Sequence, residues 1–206
     1  MYQLLLGLYA QLDILYRGIF DSVCADCTDH DCEGYIWLLP EEADVLFDAD
    51  IPIIKINKNA QFVHSFPEEN GRILLDRPKP PCVLRRGKLC SVYDLRPLVC
   101  RMYPVGLVTH DGVVFLVLHK DCAFARRQDE KAKAQFIQEA LSIFRGLSPE
   151  LTSHILQCYM DVDEVSVLPN GPNAYEIISP FSTNAAHQGG ACDEQMQSHP
   201  RPGQGD

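Results

Sequence analysis

The sequence predicts an α+β fold, with helices at both ends around a small set of antiparallel strands and with cysteine-bearing, metal-binding loops between them. Three observations predict it. Apolar residues recur at three- and four-residue steps near both ends of the chain, the spacing of a helical face. An Asp-Gly pair separates two β-branched runs in the middle, the strongest short hairpin signal in the chain. Seven of the 9 cysteines fall between residues 24 and 122.

Leu4, Leu5, Leu8, Leu12, Leu15, Tyr16 and Ile19 share one helical stripe, which predicts a first helix over about residues 2–20 with a core-facing side. Residues 21–35 are rich in Asp and carry the first cysteines, the composition of a loop. Pro40 followed by Glu41 and Glu42 fits the first turn of a helix, where proline lacks nothing and acids favour the dipole. That helix runs over about 40–48 and carries Ala43, Val45, Leu46 and Phe47. Ile51 to Phe66 is rich in β-branched and aromatic residues and broken by Asn57-Lys58-Asn59, so two short strands with a turn are expected. Ile73, Leu74 and Leu75 predict another strand before the prolines at 78, 80 and 81.

The hairpin follows, with His110-Asp111-Gly112 between Val105 to Val108 and Val113 to Leu118. Its return strand delivers Cys122 towards Cys100. A charged helix is expected over 123–145, with Phe136, Ile137, Ala140, Leu141 and Phe144 as its stripe and Gly146 as its stop. Ser148-Pro149-Glu150 begins a last helix with a serine cap, running to about Met160. From Pro169 the composition turns to Pro, Gly, Asn, Ser and Gln. The expected organisation is a single cysteine-cluster domain over 1–168 and a tail over 169–206, disordered from about 182. His187, Cys192 and His199 fall in that tail and are left out of the site.

Charge and composition narrow the function. The 206 residues hold 28 acidic against 18 basic side chains, a formal charge of -10. That balance disfavours nucleic acid and anionic membranes as partners. It leaves a protein or small-molecule partner, with Arg85, Arg86, Lys88, Arg96 and Arg101 as a local basic patch. No run of eighteen apolar residues exists to span a membrane. The first residues lack the basic start of a secretion signal, and Asp13 and Arg17 interrupt its apolar part, so a cytoplasmic location is expected. In a reducing compartment clustered cysteines point to metal binding or catalysis rather than disulfides.

The spacing is Cys24-x2-Cys27-x4-Cys32, then Cys82-x7-Cys90-x9-Cys100, then Cys122. Two thiolates of a Cys-x2-Cys pair converge on one ion without straining a loop. Thiolates suit zinc and iron–sulfur clusters and select against magnesium, calcium or manganese. One four-iron cluster takes four thiolates and leaves three over. Two tetrahedral zinc sites need one more ligand than these cysteines supply, and His30, Asp31, His110 and His119 are the nearest. The usual hydrolase elbow, phosphate-binding glycine loop and His-Glu-x2-His signature are all absent.

The run Cys82-x7-Cys90-Ser-Val-Tyr-Asp-Leu-Arg-Pro-x2-Cys100-Arg-Met-Tyr-Pro resembles the YkgJ-type cysteine-cluster family of zinc- or iron-chelating proteins. The resemblance covers about residues 24–122, and Tyr93, Arg96-Pro97, Arg101 and Tyr103-Pro104 make it specific. It implies metal binding, as an iron–sulfur cluster or zinc, through Cys24, Cys27, Cys32, Cys82, Cys90, Cys100 and Cys122. The family's upstream motif is Cys-x3-Cys-x2-Cys-Cys. Here Asp31-Cys32 stands at the double cysteine, so either Asp31 or His30 replaces a thiolate or one metal position is altered. A relative, the flagellin lysine N-methylase, pairs such a cluster with methyl transfer from S-adenosylmethionine. A metal-dependent modifying enzyme of that kind is the alternative function, although this chain shows no motif for that cofactor. Around the cysteines, Pro97 and Pro104 fix the backbone and Gly87 permits a turn. Arg96 and Arg101 are expected to offset thiolate charge or hydrogen-bond to sulfur; their alternative role is to recruit an anionic substrate.

Overall fold

A computed structural model describes residues 1–19, 36–57, 60–70, 72–74, 82–86, 89–163 and 174–181. The expected α+β architecture is what it shows. The first helix, α1 (Tyr2–Ile19), ends with Arg17 in its last turn, where a cation meets the negative end of the dipole. Leu5, Leu8, Tyr9 and Leu12 are buried at helical spacing, while Leu4 is 39 % exposed. The buried stripe is the expected one except that Leu4 lies off it and Tyr9 lies on it, with Leu15 and Tyr16 partly buried against the same core.

A short strand β1 (Trp37–Leu38) leads into α2 (Pro40–Asp48). Ala43 and Leu46 face inward, whereas Phe47 is 71 % exposed. Strands β2 (Ile53–Lys55) and β3 (Gln61–Val63) pair antiparallel as expected, and β1 adds on the other side of β3. Two small hairpins follow: β4 (Glu68–Glu69) with β5 (Arg72–Ile73), and β6 (Arg85–Arg86) with β7 (Leu89–Cys90). A 3-10 turn over Tyr93–Leu95 precedes α3 (Leu98–Met102), which carries Cys100.

The Asp-Gly hairpin is β8 (Val105–His110) with β9 (Val113–His119), in register from Val105 opposite Leu118 to His110 opposite Val113. Asp111 and Gly112 have φ of 50° and 75°, the left-handed pair that a two-residue hairpin turn needs. Helices α4 (Ala123–Arg127), α5 (Glu130–Arg145) and α6 (Pro149–Asp163) follow. One helix was expected over 123–145. The structure breaks it because Gln128 and Asp129 are extended and the Asp129 carboxylate accepts from the Ala132 N–H at 2.8 Å, starting α5 afresh. Replacing Asp129 with Ala should cost about 1 kcal/mol in a thermal or urea melt, the usual worth of such a cap. At the start of α6 the Ser148 hydroxyl accepts from the Leu151 N–H at 3.2 Å, as its cap role requires.

Past the composition change at Pro169 the chain adds another strand. β10 (Tyr175–Pro180) pairs antiparallel with β9, with an irregularity between Ile177 and Ser179. Phe181 is 4 % exposed against the same core and its ring meets Phe144 edge-on at 6.0 Å. Packed chain thus continues beyond the expected boundary at 168. The tail expected to be disordered from 182 lies outside the described residues.

The apolar side chains fall into two clusters. The larger joins α1, α3 and α4–α6 to the β8–β10 sheet, with Leu8, Leu98, Leu118, Phe136, Phe144 and Ile155 among its members. The smaller has Leu38, Ala43, Leu46, Val63 and Leu84 as its buried members, and Cys82 and Cys90 pack on it. This second cluster is too small to hold its hairpins on apolar burial alone.

Candidate metal centre

Cys82 and Cys90 are brought together by the β6–β7 hairpin. Arg85 pairs with Cys90 in register, and the Ser91 N–H donates to the Leu84 carbonyl at 2.8 Å, folding the two thiols onto the same small cluster. Ahead of β6, a turn from Cys82 is closed by the Arg85 N–H donating to the Cys82 carbonyl at 3.1 Å. Burial pushes the Cys82 thiol up. The backbone N–H groups of Leu84 and Arg85 hydrogen-bond to it and pull the other way, while neighbouring Cys90 raises it further. Two features of a thiolate ligand are thus present together: backbone donors aimed at sulfur, and a second thiol near enough to oppose its ionisation. Two neighbouring thiolates repel unless a cation lies with them, so this donor set fits a soft metal ion.

Cys100 is half-buried on α3, and Cys122 is buried at the start of α4. The backbone does what the hairpin predicts: His119 N–H donates to the Pro104 carbonyl at 2.9 Å, bringing the strand before Cys122 beside the chain that leaves α3. Tyr16 of α1 ties these parts together. Its hydroxyl donates to the Met102 carbonyl at the end of α3, and burial holds its ionisation far above the normal range, with Cys122 adding to the effect. Cys24, Cys27 and Cys32, with His30 and Asp31, lie outside the described residues, as does Gly87. Among the described residues no three His, Cys, Asp or Glu side chains are grouped so as to hold a metal ion.

The two remaining candidate histidines have other surroundings. His110 sits at the exposed hairpin turn beside Asp111 at 3.4 Å. His119 lies over Gly106, where an added Cβ would meet its Nε2 at 2.5 Å, and its ring faces Tyr103 at 5.5 Å.

The arginines differ from expectation. Arg101 is 7 % exposed; its Nη1 donates to both Asp13 oxygens at 2.8 and 2.7 Å, its Nε to the Arg96 carbonyl at 2.7 Å, and its Nη2 to the Asp94 carbonyl at 2.6 Å. Its guanidinium also lies over the Tyr9 ring at 4.7 Å. Arg96 stacks on Tyr93 at 3.6 Å and reaches Asp13 at 3.4 Å. A guanidinium so engaged fastens α3 to α1, and among the described residues its acceptors are carboxylate and carbonyl oxygens.

Sequence reasoning missed Glu42. Only 4 % exposed, it accepts from the Tyr9 hydroxyl, from Leu39 N–H at 2.8 Å and from Leu98 N–H at 2.5 Å. It thereby caps its own helix and the start of α3 together. Its place three residues after Leu39, the residue that caps α2, was the available signal. Burial pushes its carboxyl up to about 7 against the pull of those three donors, and neighbouring Glu41 adds to the rise. Cys158 on α6 is buried as well; burial first, then Glu41, Asp161 and Glu42, push its thiol up to about 11, which marks it as an unreactive packing residue.

No family model, curated protein or solved structure matches the chain. No helix among the described residues is long and apolar enough to cross a membrane.

Proposed function

We propose that the chain is a cysteine-cluster metal-binding protein, holding zinc or an iron–sulfur cluster through Cys24, Cys27, Cys32, Cys82, Cys90, Cys100 and Cys122. The observation that carries this reading is the Cys82–Cys90 pair, two neighbouring thiols with backbone donors on Cys82. The spacing of the other cysteines and the resemblance of residues 82–104 to the YkgJ-type family support it. The metal would supply a thiolate-bound charge centre. This chain's own part is to hold Cys82 and Cys90 in a turn, to fix Cys100 through the Arg101–Asp13 pair, and to bury Cys122.

Anaerobic purification followed by zinc, iron and acid-labile sulfide analysis tests the reading. At least one metal ion per chain is expected, and Cys82→Ser and Cys100→Ser should each lower the content while Cys158→Ser leaves it unchanged. Air-sensitive colour with sulfide assigns an iron–sulfur cluster; colourless stoichiometric zinc assigns a zinc site. Folded, metal-free protein from an anaerobic preparation removes the reading.

A further inference from the structure

We infer that one seam of α1, made of Tyr9, Asp13 and Tyr16, positions the Cys100 thiol by holding both ends and one side of the short helix that carries it, with Tyr9 acting through Glu42. The role of that thiol as a metal ligand rests on the proposed function; the hold on its helix stands on the hydrogen bonds.

α3 has only 5 residues, Leu98–Met102. An isolated helix is marginal in water below roughly 12–15 residues, and one this short leaves most of its backbone groups without partners inside it. Pro97 starts it without a side-chain cap, and the Cys100 and Arg101 N–H groups share the Pro97 carbonyl at 3.0 Å each. Leu98 and Met102 are buried in the larger apolar cluster. Cys100 stands two residues from either, about 200° round the helix, and is half-buried. Packing on the inner side does little by itself to stop the helix rolling or fraying, and either motion moves the thiol.

The polar contacts oppose both motions. Tyr9, Asp13 and Tyr16 follow one another by four and three residues, so they lie along one side of α1. At the start of α3 the Leu98 N–H donates to Glu42 at 2.5 Å, and the same carboxylate accepts from the Tyr9 hydroxyl and, at 2.8 Å, from the Leu39 N–H. All three partners are donors, so Glu42 serves as an acceptor that α1 and α2 fix together. Along the side of α3, Asp13 takes the Arg101 Nη1 on both oxygens and also meets Arg96, from the turn before, at 3.4 Å. At the far end the Met102 carbonyl accepts from the Tyr16 hydroxyl.

The thiol therefore sits on a helix tied before it, beside it and after it by one neighbour. A ligand must be held within about 0.5 Å of its place for a binding constellation to close, and groups behind a ligand set its affinity as well as its orientation. The seam acts on Cys100 through the α3 backbone and through Arg101. Removing one hydrogen bond from either end should make local opening of α3 about fivefold more frequent and weaken metal binding in proportion. The other side of α1, where Ile14 is 69 % exposed, should have no such effect.

Two measurements on the full chain test this, with Tyr16→Phe and Glu42→Gln as variants and Ile14→Ala as the control. In metal-free protein, amide exchange followed by NMR should show the Cys100 and Arg101 amides losing about fivefold in protection in both variants, relative to the Phe144 amide of α5. Ile14→Ala should leave that ratio as it is. In cobalt(II) titrations the unaltered protein should develop thiolate-to-cobalt charge-transfer absorption, and Cys100→Ser should weaken it. Both variants should lower the cobalt affinity about fivefold without changing the number of ions bound. Tyr16→Phe keeps its ring and serves alone if the glutamine variant fails to fold. An unchanged exchange ratio in Tyr16→Phe, or full cobalt affinity in the variants while Cys100→Ser loses it, overturns the positioning alone. No cobalt bound by the unaltered protein, or none lost in Cys100→Ser, removes Cys100 as a ligand and the positioning with it.

Discussion

On the proposed metal binding, chelating zinc from zinc-loaded protein is expected to release the hairpins around Cys82 and Cys90 while leaving most helical structure in place. The reason is the division of the core. The larger cluster draws on α1, α5, α6 and the β8–β10 sheet, and of the candidate thiols among the described residues it buries only Cys122. The smaller has few buried members and uses Cys82 and Cys90 as part of its wall. Thiolate–zinc binding is worth about 10–16 kcal/mol in small peptides that fold around the ion. Removing that contribution exceeds anything the smaller cluster can replace. Amide exchange before and after chelation should show protection lost across residues 82–92 and across β2–β3, with far-UV circular dichroism falling only slightly. Uniform loss of protection in both clusters would show that the metal supports the whole fold; unchanged protection at 82–92 would place the metal elsewhere.

Removing the Asp13 carboxylate by Asp13→Ala is expected to destabilise the protein by about 2–3 kcal/mol. The Arg101 charge would then lie at 7 % exposure with no counter-charge. Arg101→Met, which deletes the buried charge and keeps an apolar stem of similar reach, should cost less, about 1–2 kcal/mol from the carbonyl bonds at Asp94 and Arg96. The double variant should then cost no more than Asp13→Ala alone, since the two changes share one interaction. Urea melts with unchanged slope would read all three. Simple additivity in the double variant would show that the pair contributes nothing to stability. Asp13 is 43 % exposed, so added salt should shrink the effect only in part.

These two results bear on different parts of what the sequence makes legible. Local signals were enough for α1, α2, the start of α6 and the β8–β9 hairpin, because periodicity, Pro40, Ser148 and Asp111-Gly112 each act within a few residues. The break before α5 was equally local, at Asp129, but charged helix-forming residues on both sides masked it. β10 escaped for another reason. Glu176 and Ile177 are both exposed, so its alternation is blurred, and its attachment depends on pairing with β9 and on Phe181. For the candidate site, cysteine spacing is what singles out the thiols. It could not point to Asp13, which meets Arg101 from 88 residues away, or to Glu42, which meets Leu98 from 56 away. Contacts that distant leave no pattern in a local window.

The same long reach has a consequence for the order in which the protein can be made. α1 leaves the ribosome before its partners on α3 and α5, which follow only after residue 98 and residue 130. At synthesis rates of roughly 5–20 residues per second, its apolar stripe of Leu5, Leu8 and Leu12 stays uncovered for on the order of ten seconds. For that interval the nascent chain offers an amphipathic helix to whatever chaperone waits at the exit, and α3 with its Cys100 has no anchor until that helix is handed back.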